Sequence, residues 1–290
     1  MHVIIAGGSG YVGGYLAHNL VEQHNQVTIL THSDINQVAA RLDKHHKLSG
    51  KVDIINYHDY NGEGDVLVNL AGESLGAKAI SKRRLKVLLS SRIEVLDALS
   101  TQMVLPPVFI QASAVAYYNE DCNEEVDETS TDMGTSEIAQ IAIKLEERAN
   151  QLNEQFHFKR FYIARLGIVL SRNGGFIKKA SMTPPFTVIH GYNKVPFIEL
   201  NDAINALQFL CEKDVPSGPV NLTSPKSATL QELLHCCYKH SKLPQIPIIT
   251  GFLRLGDRRI QLLTTNQNVV PKVLLNMGFV FHTPNIQNVQ

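Results

Sequence analysis

A chain of 290 residues is long enough to bury a large core, either as one enlarged domain or as a domain with a smaller partner. Apolar residues at 44% and charged residues at 19% exclude a disordered chain, and 27 basic against 27 acidic residues leave no net field to recruit nucleic acid or an anionic membrane. No apolar stretch reaches the roughly 18 residues of a membrane span, no signal peptide is expected from Met1-His2-Val3-Ile4-Ile5-Ala6, and Cys122, Cys211, Cys236 and Cys237 form no Cys-x-x-Cys pair, so a cytoplasmic protein with free thiols is expected.

In chain order, Val3-Ile4-Ile5-Ala6 is a short all-apolar run, the pattern of a strand buried on both faces of a parallel sheet. Glycines follow, then a helical pattern through Tyr11, Val12, Tyr15, Leu16 and Leu20. Val27-Thr28-Ile29-Leu30, Val52-Asp53-Ile54-Ile55 and Asp65-Val66-Leu67-Val68-Asn69-Leu70 read as the next three strands. A long helix is predicted over 81–101, with Leu85, Leu88, Leu89, Ile93, Leu96 and Leu99 on one side. Val108-Phe109-Ile110-Gln111-Ala112 forms a fifth strand, a second long helix covers 135–154, and Arg160-Phe161-Tyr162-Ile163-Ala164 forms a sixth strand. Strands alternating with helices predict a doubly wound α/β Rossmann fold with right-handed crossovers over residues 1–170. Beyond 171, prolines break the chain into short pieces, with helical patterns at 201–213, 228–240 and 269–277. This second stretch, 171–290, reads as a smaller substrate or cap region over the C-terminal edge of the sheet, with 202–224 free to return to the first domain.

Ala6-Gly7-Gly8-Ser9-Gly10-Tyr11-Val12-Gly13 lies between a strand and a helix in a tight βαβ unit. One glycine makes the sharp turn, one lets the backbone approach a pyrophosphate, and one lets helix and strand pack closely. The anion then meets free N–H groups at the positive end of the helix dipole, so the loop points to NAD(P). The second strand ends Leu30-Thr31-His32-Ser33-Asp34, with no acid directly at its tip for ribose hydroxyls and no arginine for a 2′-phosphate. His32 is left as a phosphate contact or a solvated loop histidine, which tilts the cofactor toward NADP over NAD. No metal site is expected: His45-His46 lies in a polar stretch, and His235 with His240 lacks the i, i+4 spacing of two ligands on one helix face.

With this loop, Asn69-Leu70-Ala71-Gly72-Glu73 after the fourth strand and Gln111-Ala112-Ser113-Ala114-Val115-Ala116-Tyr117-Tyr118 after the fifth, the chain resembles the extended short-chain dehydrogenase/reductase superfamily. Within it, the chain is similar to the epimerase-like group, whose members carry the labels sugar-nucleotide epimerase and cell-division inhibitor. Ser90-Ser91-Arg92-Ile93, Ala164-Arg165-Leu166-Gly167-Ile168-Val169-Leu170-Ser171 with Gly174-Gly175, and Gly218-Pro219-Val220-Asn221-Leu222-Thr223-Ser224-Pro225 carry the resemblance further. Val270-Pro271-Lys272-Val273-Leu274-Leu275 and Gly278-Phe279-Val280-Phe281 resemble the group's small terminal domain, placed here at about 240–287. The resemblance implies a pyrophosphate held at Gly7, Gly10 and Gly13, with Tyr11 and Val12 beside them. It implies that Leu70, Ala71 and Gly72 line the adenosine and ribose side. Ser113 would stand where the superfamily's catalytic serine bonds a substrate carbonyl or hydroxyl.

The superfamily's proton donor is a tyrosine four residues before a lysine, on the long helix after the serine strand. In this chain those positions hold Ile138 and Ala142, neither of which moves a proton. The sequence contains one Tyr-x-x-x-Lys, Tyr238 to Lys242, far from that helix. Tyr117 and Tyr118 are candidate substitutes, with aromatic packing as their alternative. Arg165 is a candidate anion contact of the cofactor site, or the partner in a structural ion pair. The cap segment 189–202 lacks the group's tryptophan, and Asn201-Asp202 reads as a helix start. Two functions are therefore open: an oxidoreductase or epimerase on a small carbonyl or sugar-like substrate, and a catalytically impaired nucleotide-binding protein that senses cofactor or serves as a structural partner. A monomer or homodimer is expected, since relatives often dimerise through the two long helices.

Overall fold

The computed structural model describes residues 1–172, 174–189, 191–239, 241, 243–249 and 261–289. At its centre are β1 (His2–Ala6), β2 (Gln26–Thr31), β3 (Asp53–Asn56), β4 (Val66–Asn69), β5 (Val108–Ala114), β7 (Arg160–Leu166) and β12 (Gly218–Leu222). They form a seven-stranded sheet in the order β3-β2-β1-β4-β5-β7-β12, and every pairing in it is parallel. Successive side chains on a strand point to opposite faces, and both faces here are covered. Val3 and Ile5 face a core built with α1 (Tyr11–Glu22), α2 (Ile35–His46) and α6 (Leu200–Glu212). Ile4 and Ala6 face a second core built with α3 (Lys82–Ser100) and α4 (Glu137–Phe156). This double burial explains why β1 reads as an unbroken apolar run.

Chain order reverses between β1 and β4, which opens a crevice at the C-terminal ends of the strands. The two long helices start where their sequences supply a cap: Ser81 accepts from the Arg84 N–H and Ser136 from the Ala139 N–H. Across them, Arg148 Nε donates to Asp97 at 2.8 Å on the outer surface.

After β7 the chain passes Gly167 into β8 (Ile168–Ser171), which pairs with β11 (Phe197–Glu199). Then α6 and β12 carry residues 200–222 into the main sheet layer. Over the crevice lie α5 (Gly175–Ser181), β9 (Phe186–Ile189), β10 (Lys194–Val195), β13 (Ala228–Thr229), α7 (Leu230–Tyr238) and β14 (Ile246–Ile249), several of them sharing a separate apolar cluster around Val188, Val195, Leu230 and Leu234. β6 (Asp121–Val126) pairs with β15 (Asn266–Val269), and α8 (Gln261–Thr264) and α9 (Lys272–Asn276) complete the path.

Two sequence expectations are corrected here. The helix expected over 269–277 starts only at Lys272, because Val269 closes β15 and Pro271 stands at the cap. The helix expected to open at Asn201-Asp202 is capped by Glu199, whose carboxylate accepts from the Asn201 N–H at 2.7 Å. Asp202 is instead wholly buried and accepts from the His282 and Thr283 N–H groups, tying the C-terminal segment to α6. In the helix read over 228–240, Thr229 and Glu232 form a capping box ahead of Leu230–Tyr238, and His240 lies outside the described residues.

Candidate functional site

The turn after β1 is built around Gly7, whose φ of +79° suits glycine. A Cβ there would lie 2.7 Å from the backbone N and Cα of Ala71, so the loops after β1 and β4 touch backbone to backbone. A Cβ at Gly13 would fall on the Gly7 carbonyl oxygen. At Gly10, by contrast, an added Cβ meets only that oxygen, at 3.1 Å. Gly10 is the N-cap of α1, no side chain caps this helix end, and no acidic residue occupies its first turn. The Tyr11, Val12 and Gly13 N–H groups lie ahead of the first intrahelical bond, the Gly14 N–H to Gly10 O at 2.9 Å. The turn is therefore a dense glycine cradle with one open position facing outward, the form in which helix ends hold anions.

The crevice widens into a cavity of about 1180 Å³. Tyr11, Val12, Leu70 and Ala71 line it beside the cradle, Ser113 lines it from the end of β5, and Tyr238 and Phe186 line it from the cap. Ser113 Oγ donates to Glu146 Oε1 at 2.7 Å. Arg165 Nε and Nη2 donate to Oε1 and Oε2 of the same carboxylate at 3.0 and 2.7 Å. Glu146 and Arg165 are both buried, and Arg165 Nη1 has no hydrogen-bond partner among the described residues. The Arg165 guanidinium also lies over the Tyr117 ring, 3.5 Å from its centroid, and 4.8 Å from that of Tyr118. Burial opposes its charge, but the Glu146 carboxylate outweighs burial and holds the Arg165 pKa above its ordinary value.

The structure thus places the expected site residues in distinct settings. Ser113 stands in the cavity wall, and Ile138 and Ala142 line the cavity at the helix positions where a tyrosine and a lysine would serve proton transfer. Tyr117 and Tyr118 stand behind Ser113, outside the residues that line the cavity. Tyr118 is fully buried, its hydroxyl donates to Asn221 Oδ1 at 2.8 Å, and burial pushes its phenol up. Arg165 has two of its donors committed to Glu146. Gly72, with φ of +147°, lies under the Arg92 side chain rather than a ligand-sized space. His32 is exposed at the tip of β2, its ring stacked on Tyr57 with centroids 4.2 Å apart, beside a hollow of about 280 Å³. Asp34, two residues further along the chain, caps α2 by accepting from the Gln37 N–H at 3.0 Å.

Two features escaped sequence reasoning. Glu146 carried a signal, because it sits among Ala142, Leu145 and Ala149 on the buried stripe of α4, where a charge demands a partner. Tyr238, distant in sequence from the serine strand, enters the cavity through the fold of the cap, its hydroxyl 3.0 Å from Thr183 Oγ1. Lys242 and His190 lie outside the described residues. Among the described residues no group of three or more His, Cys, Asp or Glu side chains is placed to hold a metal ion. Among them also, no helix is long and apolar enough to cross a membrane.

The family model of the NAD dependent epimerase/dehydratase family matches residues 3–222. The chain belongs to this family. A second model, a domain of unknown function named DUF1731, matches residues 250–289 of this epimerase-family chain. An epimerase family protein of Mycobacterium leprae is 30% identical to it over 292 residues, covering 97% of this chain and 91% of the relative. One of Staphylococcus aureus is 28% identical over 305 residues, covering 98% and 96%. Among solved structures, the human epimerase family protein SDR39U1 with NADPH superposes with a TM-score of 0.81 at 22% identity, covering 100% of this chain and 97% of the other. UDP-glucuronic acid 4-epimerase from Bacillus cereus, in complex with UDP-glucuronic acid and NAD, superposes with a TM-score of 0.75 at 15% identity, covering 99% and 96%. These structural likenesses establish the family member's fold, a Rossmann-type α/β architecture.

Proposed function

We propose that this epimerase-family chain binds a nicotinamide dinucleotide at the glycine cradle and acts as an oxidoreductase or epimerase on a small carbonyl or sugar-like substrate held in the adjoining cavity. The observation that carries the reading is that cradle and cavity are one continuous space, with Val12 and Ser113 both in its wall. The cradle fits a pyrophosphate: Gly7 and Gly13 leave no room for side chains, Gly10 leaves the outward position open, and the first turn of α1 offers uncapped N–H groups. Gly7, Gly10, Tyr11, Val12 and Gly13 would hold it, with Leu70 and Ala71 on the ribose side, while Gly72 is covered by Arg92. When bound, the nicotinamide supplies hydride exchange.

Ser113 has a defined polarity in this scheme. Its proton is committed to Glu146, a carboxylate whose oxygens also receive two Arg165 donors. The lone pairs of Ser113 Oγ are left for the ligand, so it accepts from a substrate hydroxyl and orients that alcohol for oxidation. Tyr117 and Tyr118 hold the Arg165 end of the assembly by ring contact, and Arg165 reaches the ligand side through Ser113 and Glu146. NADP is the preferred form of the cofactor. Asp34, the acid that follows the tip of β2, is spent on capping α2, and His32 and His58 stand at the hollow beside Tyr57.

One observation favours a second reading, a nucleotide-binding sensor without turnover: apolar Ile138 and Ala142 in the cavity wall leave no phenol on α4. Calorimetric titration of nucleotide-stripped protein with NADPH, NADH and their oxidised forms, followed by a panel of carbonyl and carbinol compounds, separates the two. Tight binding with cofactor turnover supports the enzyme, tight binding with none across the panel supports the sensor, and no binding of any dinucleotide overturns both.

A further inference from the structure

One guanidinium in the cavity wall is not used by the proposed chemistry. Arg92, in the middle of α3, lines the cavity beside Ser74. Its side chain lies across Gly72, where an added Cβ would come within 2.9 Å of Arg92 Cζ. Gly72 is thus the residue that lets this arginine lie flat against the loop after β4. Among the described residues Arg92 makes no ion pair, and its one hydrogen bond runs from Nη1 to Leu88 O at 2.7 Å. That carbonyl lies four residues back on the same helix, where it already serves the helix ladder, so the contact is readily exchanged.

Behind Arg92 stands Arg84, whose Nη2 donates to Glu73 Oε2 at 2.6 Å and to Ser74 O at 3.1 Å. Arg84 Nε is buried without a partner. Two guanidiniums therefore share one carboxylate, and this part of the wall carries an uncompensated positive charge. Burial first, then the like charge of Arg84, push the Arg92 pKa down, so an oxyanion arriving there relieves a desolvated cation. A guanidinium fork presents paired donors to phosphate or carboxylate oxygens.

We infer that Arg92, backed by Arg84 and Glu73, is an oxyanion-binding point in the cavity wall, taking a phosphate or carboxylate group of the ligand. The inference rests on the cavity being the ligand site of the proposed function. The anion comes either from the dinucleotide or from the second ligand, and the experiment separates the sources. NADPH is titrated calorimetrically into wild type, Arg92→Gln, Arg92→Lys and Lys86→Gln, the last removing a charge from the exposed side of the same helix. Inorganic phosphate is then added to free and NADPH-saturated protein, with melting temperature as readout.

If the dinucleotide supplies the anion, R92Q weakens NADPH by about tenfold or more, R92K recovers part of the loss, and K86Q matches wild type. If the second ligand supplies it, NADPH affinity is the same in all four proteins, and phosphate raises the melting temperature of NADPH-loaded wild type but not of R92Q. An R92Q protein that equals wild type in NADPH affinity and in its response to phosphate overturns the inference. Should wild type bind neither NADPH nor any other nicotinamide dinucleotide, the proposed function falls. The phosphate response of free wild type against free R92Q then still decides the site.

Discussion

Replacing Glu146 with leucine tests the buried assembly behind Ser113. The carboxylate accepts three hydrogen bonds, from Ser113 Oγ and from Arg165 Nε and Nη2, and both charged side chains are only 5% exposed. Removing one partner of a buried pair strands the other charge, which costs about 3–5 kcal/mol. The orphaned Ser113 hydroxyl adds a fraction of the roughly 1 kcal/mol typical of a lost bond, since it keeps access to the cavity. At roughly 2–4 °C per kcal/mol, and less in a chain of this size, E146L should melt about 5–15 °C below wild type. The double variant E146L/R165M replaces the pair by apolar groups of similar volume and should recover most of that loss. Urea unfolding of wild type, both single variants and the double closes the cycle. An E146L protein within about 1 kcal/mol of wild type, or a double variant no more stable than E146L, would refute the view that Glu146 exists to neutralise Arg165.

Gly10→Val should abolish NADPH binding yet leave the melting temperature nearly unchanged, because the added side chain meets only the Gly7 carbonyl while facing the pyrophosphate space. Calorimetry showing retained affinity would remove the cofactor from the cradle. Ser113→Ala should keep NADPH affinity and lose turnover of any substrate the panel reveals; unchanged kcat would take Ser113 out of the chemistry. Asp127 carries a pH dependence: its hydrogen bond from Lys272 Nζ, then that from Thr129, pulls its carboxyl from 3.8 to about 2. A carboxyl depressed in the folded state stabilises above its unfolded value and loses that contribution as pH falls through the folded one. Urea midpoints should therefore drop between about pH 4 and 2 in wild type more than in Asp127→Asn, and parallel curves would contradict the assignment.

The alternating strands and helices of the first 170 residues were legible in the sequence because their causes are local. β1 is apolar on both faces, Ser81 and Ser136 cap the helices they precede, and the Gly7 to Gly13 turn needs residues without a Cβ. Ser113 came from the family resemblance, which set it just after the fifth strand, and it lies within β5, one residue before the strand's end. What surrounds it was not legible. Ser113 meets Glu146 across 33 residues, Tyr118 meets Asn221 across 103, and Asp202 meets Thr283 across 81. Each pairing exists because the sheet order puts β7 beside β5 and β12 beside β7, and because α4 and α6 pack onto the sheet. Backbone propensity and hydrophobic period act over a few residues. The partner of a buried charge is chosen by whichever strand lies next to it, and only the assembled sheet determines that.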